Sequence, residues 1–353
     1  MKRFLYFLAT DRINGGMSSA AKGFLWGLSK IYGFLVALRG LFYGMGLWKS
    51  HRLSVPVISV GNLTMGGVGK TPLIEFIARA LKQRNIRPVI LMRGYMDQSY
   101  GSRAQNSDEA MMLRSILADI PVLIGADRLK NAEVFCRKNK ADVFLLDDGF
   151  QHRRIWRDLD IVAIDATNPW GNGQLLPRGI LREPKGALAR AQIFVLTKVD
   201  LAPEGVSAIR SDLKKENPNA LIVESVHEPV SFSDLRSGED VPLAWAQGRK
   251  MASVCAIGSP ESFARILLKL GAEIGHNFMF IDHHSYVPGD VDRIVQLCQK
   301  EGLTAIVTTE KDAVKLKIFL DKIPADCRLL SLKVKISIVE GKDQFFERIH
   351  RLL

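Results

Sequence analysis

Hydrophobic residues along the chain fall into two kinds of segment. Short continuous apolar runs occur at 55–60 (VPVISV), 88–92 (PVILM), 141–148 (ADVFLLDD), 161–165 (IVAID), 193–196 (IFVL), 252–257 (ASVCAI) and 304–308. Runs of this length, rich in β-branched and aliphatic residues, predict strands buried on both faces. Residues 120–124 add a further candidate strand. Between the runs lie segments with apolar residues at helical spacing: LIEFIARALKQRN after residue 72, AMMLRSILADI from Ala110, and Pro260–Leu270. Strands alternating with helices predict an α/β fold with a mostly parallel sheet flanked by helices.

One segment breaks this alternation. Residues 23–47 (GFLWGLSKIYGFLVALRGLFYGMGL) are strongly apolar but interrupted by Lys30 and Arg39. The run between these charges is too short to span a bilayer, which takes about 20 apolar residues. At 100° per residue Phe24, Leu28, Ile31, Leu35, Leu38 and Phe42 share one face. Lys22, Ser29, Lys30, Gly33, Ala37 and Gly40 share the other. Trp26 departs from this pattern and Arg39 flanks the apolar face. Two readings follow: a helix lying in a membrane interface with Lys49 and Arg52 on its basic rim, or a helix packing its apolar face on the protein's own core.

Composition sharpens the picture at few points. Apolar residues make up 47% of the 353 and charged residues 24%, ordinary for a globular chain of one large or two medium domains. The net charge of +12 attracts anionic partners, whether nucleic acid, anionic lipid or phosphorylated ligands. No aromatic-basic nucleic-acid motif accompanies it. Cys136, Cys255, Cys298 and Cys327 form neither CxxC pairs nor a metal-ligand spacing, which fits reduced thiols in the cytoplasm. The start, MKRFLYFLAT, meets Asp11 and Arg12 too early for a signal peptide.

The chemistry begins after the first strand. Residues 61–72 read GNLTMGGVGKTP and lead into a helix, the strand–glycine loop–helix context of a phosphate-binding P-loop. Gly66, Gly67 and Gly69, with Val68 between, let backbone N–H groups turn toward phosphate oxygens. The helix start adds its positive end. Lys70 is expected on the β/γ-phosphates and the Thr71 hydroxyl on Mg²⁺. Thr64 stands where the strict pattern has its first glycine, and Pro72 sits where a missing N–H costs little. The strand at 141–148 ends in Asp147 and Asp148, a Walker-B arrangement in which one carboxylate serves the metal and the other orients substrate.

Other candidates are more open. Ser107 or Asp108 reads as a helix N-cap, with Glu109 in the first turn. Arg128 is either a phosphate clamp or an exposed side chain. The Gly/Pro-rich loop 171–184 carries Arg178 and Arg182, candidate anion contacts. Thr197-Lys198-Val199-Asp200 resembles a base-reading element of guanine-nucleotide proteins, too short to imply GTP. Asp282-His283-His284 is either an acid/base site or a turn with a helix-capping aspartate. A change of character near residue 201 divides the chain into an N-terminal helical segment (1–50), a P-loop core (51–200) and a second α/β lobe (201–353).

Six elements in order carry a family resemblance: VGNLTMGGVGKTP, LMRGY, SDEAMML, LLDDGFQH, LLPRGILREP, and IDHHSY with TTEKDAVKL. Together they resemble tetraacyldisaccharide 4'-kinase, the lipid A pathway enzyme of Gram-negative bacteria, and Thr64 also matches that family's loop. The resemblance implies transfer of the ATP γ-phosphate to the 4'-hydroxyl of a tetraacylated glucosamine disaccharide. It implies ATP and Mg²⁺ as cofactors and a membrane-associating N-terminal helix at the cytoplasmic face of the inner membrane, with no obligate protein partner. By the same resemblance Thr64, Gly66, Gly67, Val68, Gly69, Lys70, Thr71 and Pro72 bind nucleotide, and Thr71, Asp147 and Asp148 bind the metal. Asp108 is the catalytic base and His283 its partner beside Lys70. Glu109, Arg128, Gln151, His152 and Arg182 line the site, and the second lobe acts as a lid. Ala110 stands where the family usually has proline. The competing expectation is a membrane-associated P-loop ATPase switch with no small-molecule acceptor. Met65, where such switches carry a lysine before GGVGKT, stands against it. A metallochaperone GTPase would need Cys/His ligands absent from the sequence.

Overall fold

A computed structural model of the chain describes residues 8, 11, 16–94, 108–282 and 284–353; the side chains of 16, 17, 108, 109, 111 and 115 lie outside the described set. The chain divides into two compact units. The first comprises Met1–Tyr95, Asp119–Val226 and Ile338–Leu353, and the second Met96–Ala118 and His227–Ser337.

In the first unit, β1 (Val57–Asn62), β2 (Pro88–Met92), β3 (Val122–Ile124), β4 (Val143–Asp147), β5 (Leu159–Asp165), β6 (Ile193–Thr197) and the start of β7 (Leu221–Asp234) form a parallel sheet. Its order is β3–β2–β4–β1–β5–β6–β7. Strands β1, β2, β4, β5 and β6 are buried at every position, as their unbroken apolar runs require. Helix α2 (Lys70–Gln83) covers β1 with Leu73, Ile74, Ile77, Ala78 and Leu81. These positions recur at the three-and-four spacing of one helical face. The unit also holds α4 (Arg128–Cys136) and α5 (Val206–Glu216). It is completed by α9 (Lys342–His350), which brings the buried Phe345 and its neighbour Phe346 against Phe76 of α2 at ring distances of 6.5 and 5.6 Å.

In the second unit β10 (Glu273–Met279), β9 (Lys250–Cys255), β11 (Ala305–Thr309) and β12 (Arg328–Glu340) pair in parallel in that order, as part of a sheet. The short β8 (Asp240–Val241) pairs antiparallel with the end of β7. Helices α6 (Pro260–Lys269), α7 (Pro288–Lys300) and α8 (Glu310–Leu316) accompany this sheet, and α3 (Asp108–Ile116) packs on α8. Its core joins Val254, Phe278, Ile294, Ile306 and Leu329. The division therefore differs from the expected cut at residue 201. Residues 201–226 continue the first sheet because β7 pairs with β6 in register (Ile193↔Leu221), and residues 108–116 belong with the later segment.

Helix α1 (Gly16–Gly44) belongs to the first unit and runs unbroken through Lys30 and Arg39. Residues 18–44 are long and apolar enough to cross a membrane by length and composition, with 11% buried. The charges that shorten the apolar run in sequence thus do not shorten the helix. Its large side chains point away from the protein: Phe24, Ile31 and Phe34 are 69%, 59% and 66% exposed, and Leu28 and Leu35 are exposed with them. The docked side is instead the small and polar one, with Leu25 and Ser29 buried and Tyr32, Gly33 and Gly40 half-buried. A Cβ on Gly33 would meet Leu175 Cδ1 at 2.8 Å, so a small residue lets the helix approach the loop beneath it. The apolar face does not pack on the protein's core.

Candidate active site

The site in the first unit starts where β1 ends. Its neighbours β4 and β5 both run parallel to it, so the loop leaving β1 opens between two strand C-termini. Gly61 is needed there, since a Cβ would lie 2.6 Å from the Phe150 backbone nitrogen. Gly66 (φ 121°) and Gly69 (φ 88°) lie in the left-handed region that favours glycine. Gly69 precedes α2 without a side-chain cap, which leaves the helix start available to an anion. Thr64, in place of the first glycine, forms an antiparallel bridge with Leu181, and Met65 N donates to the Ile180 carbonyl at 2.7 Å. Asn62 anchors the loop: its Nδ2 donates to the Thr64 carbonyl, and its Oδ1 accepts from Lys70 Nζ at 3.0 Å.

The acidic pair lies beside it through the register Val60↔Asp147. Asp147 is the last residue of β4 and is buried; its carbonyl accepts from Arg128 Nη1 at 2.9 Å. Arg128, first residue of α4, is itself buried, which removes the reading of an exposed side chain. Asp148 falls just past the strand at φ 48°, an uncommon conformation for a residue with a Cβ. Arg182 Nη1 donates to both its carboxylate oxygens at 2.8 Å, and Lys70 Nζ stands 3.4 Å away. Burial raises the Asp148 pKa, but Lys70 and then Arg182 outweigh it and hold the carboxyl at about 2. Gln151 Nε2 donates to the Asn62 carbonyl at 3.0 Å. His152 is pushed down to about 4, first by burial and then by Arg128, Arg157, Arg39 and Arg154, so it is neutral near pH 7.

Thr197 and Lys198 turn inward to the phosphate loop. Thr197 Oγ1 donates to the Val68 carbonyl at 2.9 Å, and Lys198 Nζ donates to the Gly67 carbonyl at 3.1 Å while pairing with Asp165. Both are buried, and Lys198 takes a left-handed φ of 58°. The element that resembles a base reader thus braces the back of the loop. Asn62 and Asp165 escape a reading by motif; their signal is a polar residue at the end of a buried strand. Arg178, an expected anion contact, is paired with Asp11 at 2.9 Å.

The remaining candidates lie in the second unit. Asp108 and Glu109 are the first residues of α3, their side chains outside the described set, and Ala110 is buried behind them. His283 lies outside the described residues. Its flanks are pinned: Asp282 pairs with Lys311 at 3.0 Å, and His284 Nε2 with Asp290 at 2.8 Å while its ring stacks on Phe280.

The donor set fits a nucleotide and a hard cation. Two left-handed glycines, an uncapped helix start and Lys70 suit a polyphosphate. The Thr71 hydroxyl and the Asp147 and Asp148 carboxylates are the oxygen ligands Mg²⁺ prefers. Among the described residues no group of three or more His, Cys, Asp or Glu side chains gathers to hold a metal.

Fold and site together define a P-loop nucleotide-binding protein whose phosphate lysine is tied to a strand-end carboxylate. The model of the family Tetraacyldisaccharide-1-P 4'-kinase matches residues 21–353. A tetraacyldisaccharide 4'-kinase of Halothermothrix orenii is 37% identical over 340 residues, covering 88% of each chain. One from Anaeromyxobacter dehalogenans is 39% identical over 320 residues, covering 87% of this chain and 84% of its own. The crystal structure of LpxK from Aquifex aeolicus in complex with ATP superposes with a TM-score of 0.70 at 28% identity, covering 94% of this chain and 99% of that one. The chain belongs to the tetraacyldisaccharide 4'-kinase family.

Proposed function

We propose that this protein is an ATP-dependent kinase that phosphorylates the 4'-hydroxyl of a tetraacylated glucosamine disaccharide 1-phosphate. The observation that carries this reading is the Lys70–Asp148–Arg182 cluster at the mouth of the phosphate loop. Phosphoryl transfer depends on positioning and on neutralising charge. Backbone amides of residues 66–71 and Lys70 bind the triphosphate. Thr71, Asp147 and Asp148 would hold magnesium, which supplies charge neutralisation at the β- and γ-phosphates. Arg182 fixes the Asp148 carboxylate, and Arg128 fixes the backbone of Asp147. Gln151 and His152 lie in the same unit, Gln151 bonded to the Asn62 carbonyl. Asp108 and Glu109 sit at the start of α3, and Asp108 is assigned the proton of the acceptor hydroxyl, with His283 as its partner.

The exposed apolar side of α1 supports placement at a membrane surface, with the helix in the interface of the cytoplasmic leaflet of the inner membrane, where an acylated substrate resides. The test is incubation with γ-labelled ATP and the lipid disaccharide. Label should pass to the lipid; hydrolysis without transfer would sink the kinase reading in favour of an ATPase switch. Asp108→Ala should lower turnover by at least about a hundredfold, with nucleotide binding by calorimetry retained. An unchanged rate removes Asp108 from the base role.

A further inference from the structure

Helix α1 is hydrogen-bonded to two of the residues that line the site. Tyr32 Oη donates to the Arg182 carbonyl at 2.8 Å, and Arg39 Nη2 donates to the Gln151 carbonyl at 2.6 Å. A third link runs the other way, from Arg153 Nη1 to the Gly40 carbonyl at 3.4 Å. Both acceptors reach inward with their side chains. Arg182 grips Asp148, and Gln151 donates to the Asn62 carbonyl while Asn62 Oδ1 takes the Lys70 ammonium. Tyr32 is therefore one residue, Arg182, removed from Asp148, and Arg39 two residues, Gln151 and Asn62, removed from Lys70. The Tyr32 phenol is pushed up by burial and by nearby Glu183, so it stays protonated and donates. Other docked positions of the helix, the buried Leu25 and Ser29 and Gly33 close to Leu175, do not involve these two side chains.

We infer that Tyr32 and Arg39 are positioning residues for phosphoryl transfer: they fix the backbones of Arg182 and Gln151, and through them the Asp148 carboxylate and the Lys70 ammonium. On this view α1 is part of the catalytic framework as well as a surface for lipid. The inference rests on the kinase reading above. Small displacements of reacting groups are costly in rate, so loose anchors lower turnover more than binding.

The test uses the full chain with acceptor lipid dispersed in detergent micelles, so that membrane attachment does not limit the rate. Tyr32→Phe combined with Arg39→Met should lower kcat by about tenfold, the scale of two lost hydrogen bonds, one from a charged donor. KM for ATP should stay within about twofold of the parent, and co-sedimentation with anionic phospholipid vesicles should fall by less than the rate does, since the exposed Arg39 adds one charge among many to headgroup attraction. In the Tyr32→Phe background, Arg39→Lys, which keeps a cationic donor, should recover part of the loss. An unchanged kcat overturns the inference. So does a loss of vesicle binding that matches the loss of rate, because the helix would then act as an anchor alone. If the unaltered chain itself transfers no phosphate to the lipid, it is the kinase reading that fails.

Discussion

At the scale of single residues, two neighbours in the same turn are driven to opposite charge states by their surroundings. Asp148 is held ionised by Lys70 and Arg182 against its burial, and His152 is held neutral by burial among arginines. Both groups cost stability as pH falls, but over different windows. Asp148 has a folded pKa near 2, below about 3.9 in an unfolded chain. Its contribution is present above the unfolded value and is lost only as pH falls toward 2. His152, near 4 when folded against about 6.5 unfolded, binds fewer protons in the native state across that interval. Stability therefore declines as pH drops from about 6.5 to 4 and declines no further from this group below it. We expect His152→Gln to flatten the dependence of Tm on pH across this window, measured by thermal melts at fixed ionic strength. An unaltered slope would mean that other groups set the acid limb. The site residues were legible to different degrees. Lys70, Thr71 and the Asp147–Asp148 pair could be found because their spacing follows from what a polyphosphate needs. Asn62 could not, since an asparagine at a strand end has no pattern of its own until the lysine is seen bound to it. The roles of Thr197 and Lys198 were hidden because their partners, the Val68 and Gly67 carbonyls, lie far back in the chain and are backbone atoms.

At the scale of elements, the phosphate loop is held from three sides: by Asn62 at its entry, by the bridge of Thr64 to Leu181, and by the Thr197–Lys198 turn behind it. Thr197→Val keeps the side-chain shape and deletes the hydroxyl that reaches the Val68 and Ile164 carbonyls. A lost hydrogen bond of about 0.5–1.5 kcal/mol should weaken ATP binding by about three- to tenfold with the fold retained. Titration calorimetry reads this directly, and unaltered affinity would show that the loop keeps its shape without the hydroxyl. The strands themselves were readable as unbroken apolar runs. Their ends were less so: the run at 141–148 predicts a strand through Asp148, whereas pairing stops at Asp147 and Asp148 takes a left-handed turn. Hydrophobicity does not record that turn. Beside it Gly149 lies close against the first strand, where a Cβ would meet Ser59 Oγ at 2.6 Å. Helix α1 posed a different problem. Its sidedness was visible in sequence, but which side would meet the protein depended on Ser29, Gly33 and Gly40, whose small size permits close approach without predicting it.

At the scale of the whole molecule, the net charge of +12 and the uncovered side of α1 are the two features on which the proposed membrane attachment rests. Apolar insertion and attraction to anionic headgroups act together, and either alone gives weak binding. Replacing Phe24, Ile31 and Phe34 with serine should reduce co-sedimentation with anionic vesicles by at least about tenfold. Raising salt should weaken what binding remains. Retention of full binding by the triple variant would move the attachment elsewhere. The division into units was the least legible feature, because it depends on strand pairing between distant segments. Nothing in the composition of 108–118 or 338–353 announces which unit each will join. The return of the chain to the first unit also orders events during synthesis. Phe345 and Ile349 are wholly buried in the unit that carries the phosphate loop, and α9 packs on the helix that follows that loop. The nucleotide-binding unit begins to emerge from the ribosome first, yet it lacks part of its interior until translation has passed residue 349. The second unit, encoded between, has all its residues before then. The first unit therefore cannot bury Phe345 and Ile349 until the residues of the second unit have already been synthesised.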